Sequence, residues 1–395
     1  MKRPNPFLYL PFAGLLYVFA FFKRQRIIKD EAISKPSIII ANHTSFYDFI
    51  YSTTALFPKR LTYVAVDKMY YTKPAGFFMR MARSIPKCLF QSDIRSTKSI
   101  MEILKKKGMV CLYPEGQISS YGETLEIPFQ IAKLVKKAQV DVYMCKHHGA
   151  YFSNPPWSKK SFKGNVMSHV FPLLKTDEIS QQSVEEIYNK ITKGMYYNAS
   201  LDNQVRKWTY NIHDLSNFEN VLYQCPSCDE KTLISHKNEL ICTHCGHRLK
   251  MDLYGQLNGK TISEFYHRQE DAMRKEIQDK PDFRLQSEVD LESYKDGTIK
   301  VVGSGVFIMN QNDYRYIGTM FDKEVELTFD PKRIPTLPSD IGRNVQIYHD
   351  YRLYQFVIKG DKKRVMQMVI FAELLYKSKN NIIKTESKEE KTPFE

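Results

Sequence analysis

The sequence lacks an uncharged apolar run long enough to cross a lipid bilayer as a helix. Its N-terminal apolar segment, Phe7–Phe22, has 16 residues, whereas a spanning helix needs roughly 20. A signal peptide is not indicated, because the basic stretch Lys23–Arg26 follows instead of a small-residue cleavage site. Aromatic edges and flanking Lys and Arg are typical of a segment lying in the membrane–water interface. We predict that residues 1–32 associate with a membrane; a buried first helix is the alternative.

Acidic residues are too few to balance the basic ones. The chain of 395 residues has 44 Asp and Glu against 58 Lys and Arg, which gives a net charge of +14. This balance suits anionic lipid surfaces, nucleic acid or acidic small molecules, and charge alone does not choose among them. The hydrophobic fraction of 43% is ordinary for a folded protein, so we expect sizeable cores in two or three domains.

Cysteine is scarce, and its seven positions are not spread along the chain as a disulfide framework. This pattern favours a reducing compartment. Cys88, Cys111 and Cys145 stand singly in apolar surroundings, where they are expected to pack as small hydrophobic residues. Together with the N-terminal segment, the cysteine usage favours a location at the cell membrane, on its cytoplasmic face.

Short apolar runs alternate with helical patterns from about Ser34 to Lys175. The runs PSIIIA, LTYVAV, MVCLYP and QVDVYMC are rich in β-branched residues and typical of buried strands. Strands that alternate with helices predict an α/β sandwich with a largely parallel sheet. From about Asp282 the pattern becomes β, as in the strict alternation of Glu324–Phe329, and the final pattern RVMQMVIFAELLYK is helical. A small antiparallel β domain with a C-terminal helix is therefore expected.

The predicted organisation has six parts and no internal repeat. In chain order they are the membrane-associating segment at 1–32, the α/β domain at 33–205, a linker and cysteine-rich ribbon at 206–255, a helical linker at 256–299, the β-rich domain at 300–380 and a tail at 381–395. The tail is charged and without periodicity, so disorder is predicted there.

Four cysteines have the spacing of a metal site. Cys225, Cys228, Cys242 and Cys245 form two CxxC pairs separated by thirteen residues. Four thiolates at this spacing fit tetrahedral Zn²⁺ with no open position, which predicts a structural rather than a catalytic ion. A ribbon this small cannot build its own core, so metal binding is expected to supply most of its folding energy.

Other interpretations of the ribbon have less support. His244 and His247 are possible substitute ligands, but four cysteines complete the set without them. A redox dithiol is a second alternative. Nucleic acid is not an expected partner, because the ribbon lacks dense interleaving of basic and aromatic residues.

His43 and Asp48 lie where a strand pattern meets a helix pattern. Ile38–Ile40 predicts the end of a buried strand, Asn42–Ser45 a polar turn and Phe46 the approximate start of a helix. Ligand sites in open α/β sheets lie at such carboxyl ends. Five residues turn a helix by about 500°, so contact requires His43 in the turn and Asp48 in the first helical turns.

A His43–Asp48 pair in contact could provide a general base. Asp48 could orient the imidazole and leave its other nitrogen as a base. No Ser or Cys nucleophile motif accompanies the pair, so the base would act on a substrate group such as a hydroxyl. A polar turn in which His43 caps or packs locally is the alternative.

Glu115 and Gly116 follow a second apolar strand. A carboxylate and a glycine at such a position suit the binding of a hydroxyl and a close approach of the backbone. An ordinary Pro-Gly turn is the alternative.

Taken together, NHTSFYD and YPEGQIS resemble two motifs of the glycerolipid acyltransferase family, which includes lysophosphatidate and glycerol-phosphate acyltransferases. Asn42, His43 and Asp48 match the motif NHxxxxD. A second set of residues matches the family's Phe-Pro-Glu-Gly-Thr-Arg-Ser motif, namely Pro114, Glu115, Gly116 and Ser119. The resemblance covers roughly residues 33–200 and implies an acyltransferase α/β sandwich for 33–205.

The chain departs from this family in three places. Ile118 stands where the family has an Arg that helps to bind the acceptor's phosphate. The family's other arginine motif is present only as SIPKCLFQSDIR, in which Lys87 or Arg95 could substitute. A Val-Pro-rich strand appears only as VDVYMCKHHGAY. These departures make another lysophospholipid or hydroxyl acceptor as good an expectation as glycerol phosphate.

The resemblance implies an O-acyltransferase of phospholipid biosynthesis. The donor would be acyl-CoA or acyl carrier protein, and the acceptor lysophosphatidate or a related lysophospholipid. His43 would be the general base and Asp48 its orienting partner, while Asn42, Glu115 and Gly116 would help to bind substrate; no catalytic cofactor is implied. The β-rich domain loosely resembles a pleckstrin-homology domain. The alternatives are a non-catalytic lipid- or nucleic-acid-binding adaptor and a thioester hydrolase.

Overall fold

The computed structural model describes residues 2–73, 75–89 and 93–380. The chain divides into two units. The first contains Met1–Gln269, Ser293–Lys300 and Tyr348–Leu353, and the second contains Glu270–Glu292, Val301–Ile347 and the chain from Tyr354 onward. The tail predicted to be disordered, 381–395, lies outside the described residues.

The first unit is built on a seven-stranded sheet. Its strands are β1 Gln25–Lys29, β2 Ser37–Ala41, β3 Leu61–Val66, β4 Ile85–Lys87, β5 Met109–Leu112, β6 Asp141–His148 and β7 Val166–Leu174. Their spatial order is β1-β7-β6-β2-β5-β3-β4. The pairs β6–β2, β2–β5, β5–β3 and β3–β4 are parallel, which confirms the largely parallel sheet.

One edge of this sheet makes it mixed. Strand β7 runs antiparallel to β6, and β1 pairs in parallel with β7. Strands β1 and β7 therefore run opposite to the other five strands. The strands β6 and β7 are joined through residues 149–165, and an antiparallel neighbour does not need the crossover helix that a parallel one requires.

Strand β2 is apolar at successive positions because both of its faces are buried. Ile38 and Ile40 pack into the core on one face of the sheet. Ile39 and Ala41 pack into the core on the other face. Since successive side chains of a strand point to opposite faces, a strand covered on both sides must be apolar at every position.

Helices surround this sheet. They are α1 Pro6–Phe22, α2 Asp48–Ala55, α3 Ala75–Met81, α4 Ile94–Lys105, α5 Gln130–Ala138, α6 Ala150–Ser153, α7 Thr176–Gln181, α8 Val184–Met195 and α9 Ala199–Arg206, with 3₁₀ helices at Asp67–Tyr71 and Phe218–Asn220. Helix α8 begins with a capping box, in which Ser183 Oγ accepts from the Glu186 N–H and the Glu186 carboxylate accepts from the Ser183 N–H.

Helix α1 packs against this unit through one face only. Tyr9, Ala13 and Ala20 are buried, and the Tyr9 hydroxyl accepts a hydrogen bond from the Leu61 N–H at 3.1 Å. Among the described residues, no helix combines the length and the apolar character needed to cross a membrane.

The cysteine-rich segment forms its own small antiparallel sheet. Its strands are β8 Leu233–His236, β9 Glu239–Cys242 and β10 Arg248–Lys250, in the order β10-β9-β8. Helix α10, Ile262–Asp279, follows.

A second antiparallel sheet forms the β-rich part. Its strands are β11 Arg284–Lys295, β12 Thr298–Asn310, β13 Tyr314–Met320, β14 Lys323–Phe329, β15 Ser339–Asp340, β16 Asn344–His349 and β17 Arg352–Ile358, in the order β14-β13-β12-β11-β17-β16-β15, with a 3₁₀ helix at Pro331–Arg333 and the C-terminal helix α11 Arg364–Lys379. Strand β11 lies within 256–299, the range predicted as a helical linker. The reason is the alternation of buried Leu285, Val289 and Leu291 with more exposed polar residues, which is a strand period. The resemblance to a pleckstrin-homology domain stays a prediction.

Candidate active site

Two loops meet at the carboxyl edge of the large sheet. Strands β2 and β5 are parallel neighbours, so the segments that follow Ala41 and Leu112 leave the sheet side by side. A backbone hydrogen bond joins them, from the Ser119 N–H to the His43 carbonyl at 2.9 Å. The NHTSFYD and YPEGQIS segments are therefore brought together by the register of the sheet.

His43 and Asp48 are in direct contact. His43 lies in the turn, and Asp48 is the first residue of α2, two residues after the start predicted near Phe46. The distance from His43 Nδ1 to Asp48 Oδ2 is 3.0 Å. The His43 side chain is 21% exposed while that of Asp48 is fully buried, so solvent or a substrate can reach only the imidazole.

The surroundings of Asp48 fix the tautomer of His43. Asp48 Oδ2 also accepts the backbone N–H groups of Thr44 at 2.7 Å and Ser45 at 2.8 Å. Asp48 Oδ2 thus accepts two backbone N–H groups, and a carboxylate oxygen can only accept hydrogen bonds. With Oδ2 as the acceptor, His43 Nδ1 is the donor in the contact at 3.0 Å, and in the neutral imidazole the lone pair is then at Nε2.

Glu115 holds the main chain of the His43 turn. Its Oε1 accepts the His43 N–H at 2.8 Å, and its Oε2 accepts the Leu125 N–H at 3.0 Å. The residue is 2% exposed. Burial raises the pKa of Glu115 to about 8, and the two backbone N–H groups oppose that increase. Both oxygens are thus engaged within the protein.

Asn42 is bound to the backbone of a neighbouring strand. Its Nδ2 donates to the His147 carbonyl at 3.0 Å, and its Oδ1 accepts the His147 N–H at 2.7 Å. These two bonds extend the pairing of β2 with β6 by one side chain. Asn42 is fully buried, so it fixes the position where the chain turns away from the sheet.

A buried polar network that the sequence did not indicate lies beneath the imidazole. The Tyr113 ring stacks on the His43 ring, with 4.5 Å between centroids. The Tyr113 hydroxyl is 3.0 Å from Ser52 Oγ, which is 2.8 Å from His147 Nε2, and His147 Nδ1 is 2.9 Å from Ser168 Oγ. Burial lowers the pKa of His147 to about 4, so this imidazole is neutral at physiological pH.

The four ribbon cysteines converge. Their Sγ atoms all lie within 4.8 Å of one another, with 3.7 Å between Cys225 and Cys245 and 3.6 Å between Cys228 and Cys242. A tetrahedron with Zn–S bonds of about 2.3 Å has edges of about 3.8 Å, so the sulfur cage fits Zn²⁺. Backbone N–H groups of Ser227 and Cys245 point at two of the sulfurs, which suits thiolates.

Two family models match the segments that contain the His43 site and the four-cysteine cluster. Residues 23–147 match the family model described as Acyltransferase. The matched range contains the His43–Asp48 pair and Glu115. Residues 218–252 match a zinc-ribbon model described as DNA directed RNA polymerase, 7 kDa subunit, and with the sulfur cage this shows a four-cysteine zinc-binding ribbon.

Comparisons with individual proteins add little to this. Among solved structures, the 1-acyl-sn-glycerophosphate (LPA) acyltransferase PlsC from Thermotoga maritima is similar at 16% identity, with a TM-score of 0.38 over 47% of this chain and 76% of that chain. No curated protein matches the sequence.

Of the three remaining predicted residues, Gly116 lies with the His43 turn, whereas Lys87 and Arg95 lie apart from it. Gly116 is in the same loop as Glu115, at a φ of 73° that favours glycine. Lys87 ends β4, three strands from β2, which is about 14 Å along the sheet edge. Arg95 is exposed on the first turn of α4. The structure thus brings Asn42, His43, Asp48, Glu115 and Gly116 together. Lys87 lies at the same carboxyl edge of the sheet, but its backbone is too far from that of His43 for contact.

Proposed function

We propose that the protein transfers a fatty acyl group from a thioester, acyl-CoA or acyl carrier protein, to the hydroxyl of lysophosphatidate or a related lysophospholipid, in phospholipid biosynthesis. One observation carries this proposal. In a segment that matches the Acyltransferase family model, Asp48 holds the Nδ1 side of His43, while the imidazole stays partly exposed, which leaves Nε2 as the nitrogen that can act as a base. The lipid acceptor is supported by the motif resemblance.

The reaction follows from this geometry. His43 Nε2 removes the proton of the acceptor hydroxyl as its oxygen attacks the thioester carbonyl carbon. Asp48 stabilises the imidazolium that forms, through the bond at Nδ1. The tetrahedral intermediate then collapses, the C–S bond breaks, and the imidazolium returns its proton to the departing thiolate. The products are an ester and a free thiol.

The residues around the pair have different roles in this proposal. Asn42 and Glu115 position the His43 turn, since their polar atoms bind the backbone. Gly116 leaves room at the edge for the acceptor. Because Ile118 replaces the family's Arg, Lys87 or Arg95 would supply positive charge for an acceptor phosphate.

The proposed location is the cytoplasmic face of the cell membrane. The outward face of α1, at Phe7, Leu15, Val18 and Phe22, is apolar and exposed, which suits the lipid interface. All seven cysteines lie within the described residues, and none of them forms a disulfide, which suits a reducing compartment. The zinc ion of the ribbon is proposed to be structural, since four thiolates leave no open position.

The test is an assay of purified protein with radiolabelled acyl-CoA and a panel of lysolipids with and without phosphate. His43→Ala should lower ester formation by about 10²- to 10⁴-fold, the usual share of a general base, with an unchanged thermal midpoint. His169→Ala on β7, which removes a contact with Asp30 and not a contact of the His43 turn, is the control. A folded His43→Ala variant with full activity would refute the mechanism.

Two other results of this assay would support the alternative functions, a thioester hydrolase or a non-catalytic adaptor. Release of thiol without an acceptor would indicate a thioester hydrolase in which His43 activates water. Lipid binding without ester formation from any acceptor and either donor would indicate a non-catalytic adaptor.

A further inference from the structure

Helix α1 is apolar on the side that faces away from the protein. Its buried positions, Tyr9, Ala13 and Ala20, lie on one face. The opposite face carries Phe7 at 86%, Leu15 at 70% and Phe22 at 77% exposure. A surface helix normally presents polar residues on its outer face, so α1 has an unpartnered apolar face.

Two other segments expose aromatic side chains in the same unit. Phe46 and Phe49 are 57% and 40% exposed at the start of α2, three and six residues after His43. Phe77 is 67% exposed on α3, beside the partly exposed Phe78. Single exposed apolar residues are common, and what matters here is that these three segments adjoin.

Ring contacts join the two segments to α1. Phe78 stacks on Phe12 of α1, with 5.9 Å between centroids, and Phe77 packs edge-on against Phe78 at 5.5 Å. At the other end of α1, Phe19 packs edge-on against Tyr47 at 5.3 Å. Helix α1 therefore contacts α3 through Phe12 and the turn after His43 through Phe19.

Basic residues border this surface. Lys23 Nζ lies over the rings of Phe19 and Tyr47, at 5.7 and 5.4 Å. Arg24 and Arg26 follow α1 and are exposed. An apolar aromatic surface with a cationic border fits an anionic lipid bilayer, in which the rings enter the interface and the cations meet the headgroups.

We infer that α3 and the Phe46–Phe49 turn form, together with α1, one membrane-docking face whose occupant is an anionic lipid bilayer. This inference rests on the proposed membrane location and extends it from α1 to segments that the sequence analysis did not assign. It places the His43 turn at the lipid surface. A lysolipid acceptor then presents its hydroxyl to His43 while its acyl chain stays in the bilayer.

Phe77→Glu in the full-length, zinc-loaded protein tests this inference. A charge at this position should weaken cosedimentation with vesicles of 30 mol% phosphatidylglycerol in phosphatidylcholine by about tenfold or more. The matched control is Ile234→Glu on β8 of the ribbon, an apolar residue 44% exposed, which should bind as the wild type does. Acyl transfer to a dispersed short-chain lysolipid should be unchanged in the Phe77 variant.

A second measurement does not require a variant that has lost vesicle binding. Phe77→Trp, with the wild-type signal subtracted, should show a blue shift on vesicles and quenching by brominated lipid chains. A Trp that stays solvent-exposed on bound protein would overturn the inference.

A Leu15→Glu variant separates the possible failures. If Leu15→Glu abolishes vesicle binding and Phe77→Glu does not, α1 docks alone and the inference fails while the membrane location stands. If the wild type does not bind vesicles, both fail. Acyl transfer, measured on dispersed substrates, tests the proposed chemistry separately in each case.

Discussion

Three hydrogen bonds hold His43, and only one of them involves its side chain. Asp48 binds the imidazole, Glu115 accepts the backbone N–H and Ser119 donates to the carbonyl. Since an error of about 1 Å in a catalytic group can cost on the order of 10²-fold in rate, the backbone contacts matter for turnover as well as for folding.

Glu115→Gln tests whether this carboxyl positions the base or binds the acceptor. A glutamine offers one acceptor oxygen, so one of the two backbone N–H groups would face an amide NH₂. We expect kcat to fall by on the order of 10²-fold through displacement of His43, with the acceptor KM nearly unchanged. Glu185→Gln, at an exposed position on α8, should have no effect. An increase in acceptor KM at constant kcat would assign Glu115 to acceptor binding instead.

His147 gives the stability a pH dependence of known sign. Burial lowers its pKa from 6.5 to about 4, with the nearby charge of Asp48 opposing this effect. The unfolded chain therefore binds more protons than the native protein between these values, and the free energy of unfolding falls as the pH drops from about 6.5 to about 4. The contribution is at most about 1.4 kcal/mol for each pH unit.

Chemical denaturation at several pH values measures this slope. His147→Asn should flatten it in that window while lowering stability at pH 7, because the bonds to Ser52 and Ser168 change. His236→Asn, exposed on β8, should leave the slope as it is. An unchanged slope in the His147 variant would show that other groups control acid unfolding.

The residues of the site differ in how far sequence could reveal them. His43 and Asp48 are five positions apart, so the geometry of a strand, a turn and a helix start is enough to predict their contact. Asn42 and His147 are 105 positions apart, and no local spacing encodes that pairing. The stacking of Tyr113 on His43 likewise depends on the register of β2 with β5.

At the scale of elements, the ribbon depends on its metal. The three short strands β8–β10 bury few large side chains, including Leu233, Leu240 and Leu249. Zinc binding is expected to supply the missing folding energy.

Cys242→Ser, or treatment with a strong chelator, should remove the zinc and lower the thermal midpoint of the full chain by several degrees. Elemental analysis of the untreated protein should give one zinc per chain. Cys88→Ser, outside the cluster, should keep its full metal content. Full thermal stability after complete metal removal would contradict a structural role.

The apolar pattern predicted four of the seven strands of the large sheet and their parallel direction, but it did not predict strands β1, β4 and β7. Strands β2, β3, β5 and β6 coincide with the four apolar runs because both faces of each are covered or nearly so. Strand β7, with VMSHVFPLL, has no feature that distinguishes an antiparallel from a parallel neighbour. Direction is set by the connection after β6, which is a tertiary property.

At the scale of the molecule, the net charge of +14 acts together with the apolar face of α1. Coulombic attraction to anionic lipid is screened over about 10 Å at 0.1 M salt and about 3 Å at 1 M. Insertion of aromatic rings is not screened in this way. The two contributions can therefore be separated by ionic strength.

We expect wild-type binding to vesicles of 30 mol% phosphatidylglycerol to weaken by about tenfold or more between 0.05 and 0.5 M NaCl, because salt screens an attraction of about 1 kcal/mol for each basic residue near the surface. Binding to pure phosphatidylcholine should be weaker and nearly independent of salt, since only the apolar contribution remains. Arg26→Glu, next to the exposed end of α1, should reduce the salt dependence, while Phe77→Glu should weaken binding to both vesicles. Equal affinity for the two vesicles at low salt would show that the basic charge serves something other than the membrane.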